Sequence, residues 1–203
     1  MIKFLFPFGQ SPRQAGFGLV ELLVSISIMV LVTGTVIARH SAFNGASLLR
    51  SQAWELALAV REVQLTAVSA SNVGGDFRQV YGVHFDISAG GDNQGFAVFK
   101  DENGDNFYTA GSDDLVGKQG RLDRRFEIAA IRAYNVGAPL PDPSVVSITF
   151  ERPNYDVRHF MSGVGVEINA DRLEIVIQVR GEPTNRRTVE ITKTGQITVQ
   201  NNS

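Results

Sequence analysis

The chain has no cysteine. Disulfides, thiol nucleophiles and cysteine-ligated metals are therefore excluded, and the fold must be held by its core alone. Histidine is nearly as scarce. His40, His84 and His159 stand far apart, and none falls in a nucleophile or zinc-binding pattern, so each reads as a surface or interface residue. No phosphate loop or dinucleotide fingerprint occurs; "GVGVE" is a strand-like run with small residues. Nothing in these patterns supports an enzyme. With 19 basic and 21 acidic side chains the net charge is −2, so the chain as a whole has no bias toward nucleic acid or an anionic lipid surface. Ionisable groups are most conspicuously missing between Phe17 and Ala38, where Glu21 stands alone.

That stretch, "FGLVELLVSISIMVLVTGTVIA", is apolar throughout. As a helix its roughly 22 residues span about 33 Å, enough for a hydrocarbon core of about 30 Å. Three fates compete for it. A secretory signal cut after Ala38 fits the small residues there, but the apolar run exceeds the ~7–15 residues of such signals and the helical pattern continues past the cut. A plain anchor leaves Glu21 unexplained, because an acid within a membrane helix costs about 2.5–3.5 kcal/mol on insertion scales and usually has a partner. Cleavage between Gly16 and Phe17 supplies that partner. It creates an α-amine four residues before Glu21, and the amine of one subunit can pair with the carboxylate of its neighbour. In low dielectric such a contact is strong and sets the register of one helix on the next.

The segment "GFGLVELLVSISIMVLV" resembles the N-terminal cleavage and methylation segment of type IV pilins and type II secretion pseudopilins: a Gly, then Phe, an acid four residues on, and an unbroken apolar helix. Gly18 stands where a Thr is common in that pattern. The resemblance implies that Gly16 ends the leader, that Phe17 becomes the N-methylated terminus, and that Glu21 is the assembly acid. It further implies prepilin peptidase, other pilin or pseudopilin subunits, the inner-membrane assembly platform and the lipid bilayer as partners. Such a chain would sit in the bacterial inner membrane as a single-pass protein with its C-terminal domain outside the cytoplasm, then enter a pilus or pseudopilus. The leader's only charges, Lys3 and Arg13, are positive, which favours a cytoplasmic leader.

Beyond Ala38 the period stays helical. Ala42, Ala46, Leu49, Ala53, Leu56, Val60, Val63, Ala67 and Ala70 recur at spacings of three and four, an apolar stripe that should lie on a core. Trp54, Leu58 and Leu65 flank it and are expected at the edge of the same core, the other reading being a partner face. Thr33-Gly34-Thr35 is the weak point of this long helix, since a mid-helix Gly costs about 1 kcal/mol relative to Ala. Ser71-Asn72 and Gly74-Gly75 stop it. After them the period becomes two: Tyr81, Val83 and Phe85, then "GFAVF", "FEIAAI", "SVVSITF", "GVGVEI", "LEIVIQV", "TVEIT" and "QITV", the last two joined through "KTGQ" as a hairpin. The expected fold is α+β, with the helix packed on an antiparallel β-domain of two small sheets. The expected domains are a leader over 1–16, the helix over 17–73 (transmembrane over 17–38, amphipathic over 39–73), and the β-domain over 74–203. This order, with "SITFERPN" and the terminal "RTVEITKTGQITV" hairpin, is similar to the GspH/FimT group of minor pilins.

Two further features invite chemistry. In "KDENGDNFYTAGSDDL", Asp101, Asn103 and Asp105 alternate as in the first part of a calcium loop, with Phe107 offering a carbonyl. The end departs from that pattern: Asn106 replaces the turn Gly and Ser112 holds the twelfth position, so Asp113 or Asp114 would have to complete a Ca2+ site. The other reading is a turn whose side chains cap their own backbone. Second, Arg121, Arg124 and Arg125 form one basic cluster and Arg186 with Arg187 another. Either is solvated surface charge or a contact for the phosphates of DNA at a filament tip.

Overall fold

The computed structural model describes residues 18–69, 79–163 and 165–201, without the side chains of 38–44 and 201. The leader 1–16 and Phe17 after it lie outside the described residues, as does the Ser71–Gly75 stop. The chain divides between Phe43 and Asn44 into two compact units.

The first unit contains the opening of helix α1 (Leu19–Ser69). Its residues Leu19–Ile37 have a mean hydropathy of 2.3, and none of that surface is buried. The polar side chains are dealt with locally. The hydroxyls of Ser25, Ser27 and Thr35 donate to the carbonyls of Glu21, Leu23 and Val32, each at 2.8 Å. Back-bonding of this kind hides a hydroxyl from lipid. The helix runs on through Gly34, where an added Cβ would meet nothing.

In the second unit the stripe turns inward. Leu49, Ala53, Leu56, Ala57, Val60, Val63 and Ala67 are all buried, the larger ones contributing on the order of 1.5–3 kcal/mol each in gross burial. Trp54, Leu58 and Leu65 depart from expectation: they are 47%, 65% and 51% exposed. The reason is angular. Two positions along a helix is about 200°, so residues two away from Leu56 or Val63 point to the opposite face.

The remaining residues form two antiparallel sheets. In chain order the strands are β1 (Val80–Asp86), β2 (Gly95–Asp101), β3 (Asp114–Leu115), β4 (Gly120–Arg121), β5 (Phe126–Asn135), β6 (Ala138–Pro139), β7 (Val145–Phe150), β8 (Val157–Ser162), β9 (Val166–Glu167), β10 (Arg172–Val179), β11 (Glu182–Thr192) and β12 (Ile197–Asn201). The first sheet runs β3-β2-β1-β7-β8-β9, with β4 added on β2; the second runs β12-β11-β10-β5-β6. Alternation places Val83, Phe85, Ile148, Phe150 and Phe160 of the first sheet, and Ile128, Leu173, Ile175, Ile177, Val189 and Ile191 of the second, in one cluster with the helical stripe. The result is the expected α+β, pilin-like arrangement. The run "GVGVEI" shortens to the two-residue β9, because Gly163 and Gly165 take left-handed φ values of 54° and 78° and break the extension.

The first sheet also has a buried outer face. Phe99, Ser147 and Thr149 are fully buried yet point away from the main core. Phe107 and Tyr108, in the loop between β2 and β3, pack over this face beside His84.

Candidate functional site

Glu21 lies in the first turn of α1, where Leu22 N–H already bonds back to Gly18. A carboxylate at a helix N-terminus is favoured by the macrodipole. Its side chain is exposed and makes no hydrogen bond or ion pair with any described residue. Around it Leu19, Val20, Leu22 and Leu23 are 81%, 73%, 56% and 59% exposed. An apolar surface of this extent is stable only against lipid or other apolar helices. Within it, a lone acid can be matched only by a cation from outside the described chain.

In the acidic loop the oxygens are already engaged. Asp101 accepts the main-chain N–H of Gly104 at 2.7 Å and of Asn106 at 2.8 Å. Asp113 accepts those of Glu102 at 3.1 Å and Thr109 at 2.7 Å. Asp105 accepts Phe107 N–H at 2.8 Å and the Asn103 amide at 3.0 Å, while Asn103 Oδ1 accepts Asp105 N–H at 2.9 Å. Asp101 and Asp113 are buried; Asp114 sits in β3, paired with Lys100 across the ladder. No group of three or more acidic or His side chains is arranged to hold a metal ion among the described residues.

The two arginine clusters, far apart in sequence, converge. Arg180 N–H donates to the Arg125 carbonyl at 2.8 Å, Phe126 faces Val179, and Gln178 faces Arg186. Arg125, Arg180 and Arg186 thus share one end of the second sheet. Helix α1 meets this end early in the second unit, since Asp123 N–H donates to Gln52 Oε1 at 2.9 Å. Several of the cations are matched: Arg121 with Asp92 at 2.6 Å, Arg125 with Asp123 at 2.8 Å, and Arg180 with Glu127 at 3.4 Å. The Arg125 hydrogen bonds hold the Asp123 carboxyl down at about 2. Arg186 bonds the Pro183 carbonyl, and Arg187 bonds that of Arg186 at 2.9 Å. Arg124 is exposed, without a carboxylate in ion-pair range among the described residues.

His84 is the residue that sequence reading undervalued. It is half-buried, with Nδ1 2.8 Å from Ser147 Oγ and flanked by the rings of Phe107 and Tyr108 at 5.3 and 5.2 Å. Burial lowers it to about 4, against an opposing pull from Asp86. Only the alternation in "VYGVHFD" hinted at it: His84 falls on the face opposite Val83 and Phe85, but nothing local shows that a loop covers that face. His159 sits 3.1 Å from Glu167, and that contact lowers the Glu167 carboxyl.

Residues 11–37 match the family model described as "Prokaryotic N-terminal methylation motif". No curated protein and no solved structure matches the chain. The matched residues are an N-terminus of the type IV pilin and pseudopilin kind. They imply a pilin-like subunit, processed by prepilin peptidase, whose role is structural rather than enzymatic.

Proposed function

We propose that the chain is a minor pilin or pseudopilin of the GspH/FimT kind. It is inserted in the inner membrane through residues 17–38, cut between Gly16 and Phe17, N-methylated at Phe17, and assembled into a type IV pilus or type II secretion pseudopilus. The observation that carries this reading is Glu21: one carboxylate, unpartnered among the described residues, on a helical stretch, Leu19–Ile37, whose apolar surface is entirely uncovered. The membrane satisfies the apolar side chains and leaves the acid unpaired. A second subunit's Phe17 amine satisfies the acid as well, so the filament is favoured over the dispersed anchor by the matching of that one charge. The 1–16 leader, the helix over 17–73 and the β-domain over 74–203 then have separate duties of targeting, polymer core and surface.

The mass of the mature chain tests the processing step. A loss corresponding to residues 1–16 with one added methyl group is expected in cells that contain the peptidase. An intact Met1, or a cut after Ala38, overturns the proposal.

The convergence of Arg124, Arg125 and Arg186 at one end of the second sheet favours one alternative, a subunit that touches DNA phosphates. Three of the arginines near that end are already matched by carboxylates, so the structural reading is preferred.

A further inference from the structure

We propose that residues 102–113 form a strap over the outer face of the first sheet, latched on His84, and that a proton on that imidazole releases the strap.

The latch has three parts. Tyr108 N–H donates to Ser147 Oγ at 3.1 Å, and the same oxygen lies 2.8 Å from His84 Nδ1. The Phe107 ring meets the imidazole edge-on, at 87°, and the Tyr108 ring tilts against both His84 and Phe99. Beneath them β1, β2 and β7 run side by side, with His84 opposite Ala97 on one side and Ser147 on the other. Ser147 is fully buried.

This arrangement suits a neutral ring. Ser147 Oγ accepts the Tyr108 N–H and has one proton to give. When that proton goes to Nδ1, the imidazole is neutral with its hydrogen on Nε2. A second proton makes both ring nitrogens donors. The Ser147 hydroxyl would then have to turn its own proton elsewhere, in a wall whose carbonyls are committed to the sheet ladder. A charge would also be enclosed between two aromatic rings, which is unfavourable without a partner.

The surrounding charges supply no adequate partner. On β1, Asp86 lies two residues on and attracts a proton to His84, but burial outweighs it. On β2 the facing residue is Ala97. On β8, Met161 lies beside Ser147, and His159 is paired with Glu167. Asp101 at the end of β2, and Asp105 and Asp113 within the strap, have their oxygens on the strap's own N–H groups, and Glu102 is paired with Lys100. In the cleft beside His84, Arg121 is paired with Asp92. Tyr108 is the strap's remaining titratable group.

The direction follows from linkage. With the strap closed, His84 takes a proton only near pH 4; with it open, the ring titrates near its ordinary 6.5. The open form therefore binds more protons in between. The closed strap is fully favoured above pH 6.5, and its preference falls about tenfold per pH unit below that, until about pH 4. The window between those two values is the one in which His84 changes its protonation.

Hydrogen exchange of the full chain in detergent micelles tests this. Between about pH 6.5 and 5.5, after correction for intrinsic rates, protection of the 102–113 amides should fall about fivefold while β10 amides stay unchanged. In His84→Gln the strap's protection should be flat over the same range. A flat profile in the wild type, or an unchanged slope in His84→Gln, overturns the proposal. Should that variant fail to fold, the His84 ring signals followed by NMR in the wild type serve instead: a midpoint well below 6.5 is required, and one at or above it overturns the latch.

Discussion

The Gln64 side chain donates to the carbonyl of Gly195 at 3.0 Å, joining the helix to the turn between β11 and β12, and reaches the carbonyl of Tyr155 as well. Its own oxygen accepts from Arg61 at 3.2 Å. Gln64 is fully buried within the apolar stripe of the helix, the one place where that stripe is interrupted by a polar residue with two long-range partners. Replacing it with Leu strands two carbonyls at about 1–3 kcal/mol each when buried without a partner. Chemical unfolding of Gln64→Leu should therefore show a loss of about 2–4 kcal/mol. Gln52→Ala, which removes only two exposed contacts, to Glu55 and Asp123, should lose less than about 1 kcal/mol.

A glycine controls the outer face of the first sheet. An added Cβ at Gly82 would lie 2.5 Å from the Phe99 ring and 3.0 Å from the Ile148 carbonyl. Gly82→Ala should destabilise by about 1–3 kcal/mol, the usual result of overpacking. Because the ring is the nearest obstacle, Phe99→Leu in the same chain should recover part of that loss. A double-mutant cycle by thermal unfolding checks it, and additive effects would show that the carbonyl, not the ring, sets the limit.

For the acidic loop, calcium would have to draw Asp101, Asp105 and Asp113 away from main-chain N–H groups they already serve. Each such exchange leaves a donor without its acceptor, at about 1–3 kcal/mol if buried. The capped turn therefore predicts no heat when millimolar calcium is titrated into the full chain. Heat with a stoichiometry of one ion, lost in Asp105→Asn, would assign the loop to the ion instead.

The arginine end of the second sheet is expected to give only weak, salt-sensitive retention of duplex DNA. Arg124 and Arg186 are among the arginines there that lack a carboxylate in range, and substituting both with Ala should flatten the log affinity against log salt slope by about two. Retardation in a gel that survives both substitutions would point to a different surface.

What could be read in advance follows the range over which each signal acts. The anchor, Glu21 and the helical stripe are local periodicities, and the stripe from Leu49 to Ala67 is buried as its spacing requires. The strand "LEIVIQV" shows its core face by alternation, and Leu173, Ile175 and Ile177 occupy it. The exposed position of Trp54 is legible too, since about 200° separates it from Leu56. The covering of His84 was not, because it depends on a loop more than 20 residues away folding back over its sheet. Nor was the meeting of Arg125 with Arg186, since strand order sets it and the spacing of residues does not.

Glu21 is the residue on which the proposed role turns, and its removal acts in opposite directions on two states. Glu21→Ala deletes an acid that costs about 2.5–3.5 kcal/mol in a membrane helix, so the lone subunit should sit in the bilayer more stably. The same change deletes the match for a neighbour's terminal amine, which leaves a buried cation unpaired in the filament at about 3–5 kcal/mol. The two effects add, and both move subunits from filament to membrane. Sheared filament fractions should contain at least about tenfold less of the Ala variant, with a matching rise in the membrane fraction. Glu21→Asp, which keeps the charge on a shorter arm, should recover part of the incorporation. Equal incorporation of the Ala variant and the wild type would remove the charge match from the assembly mechanism.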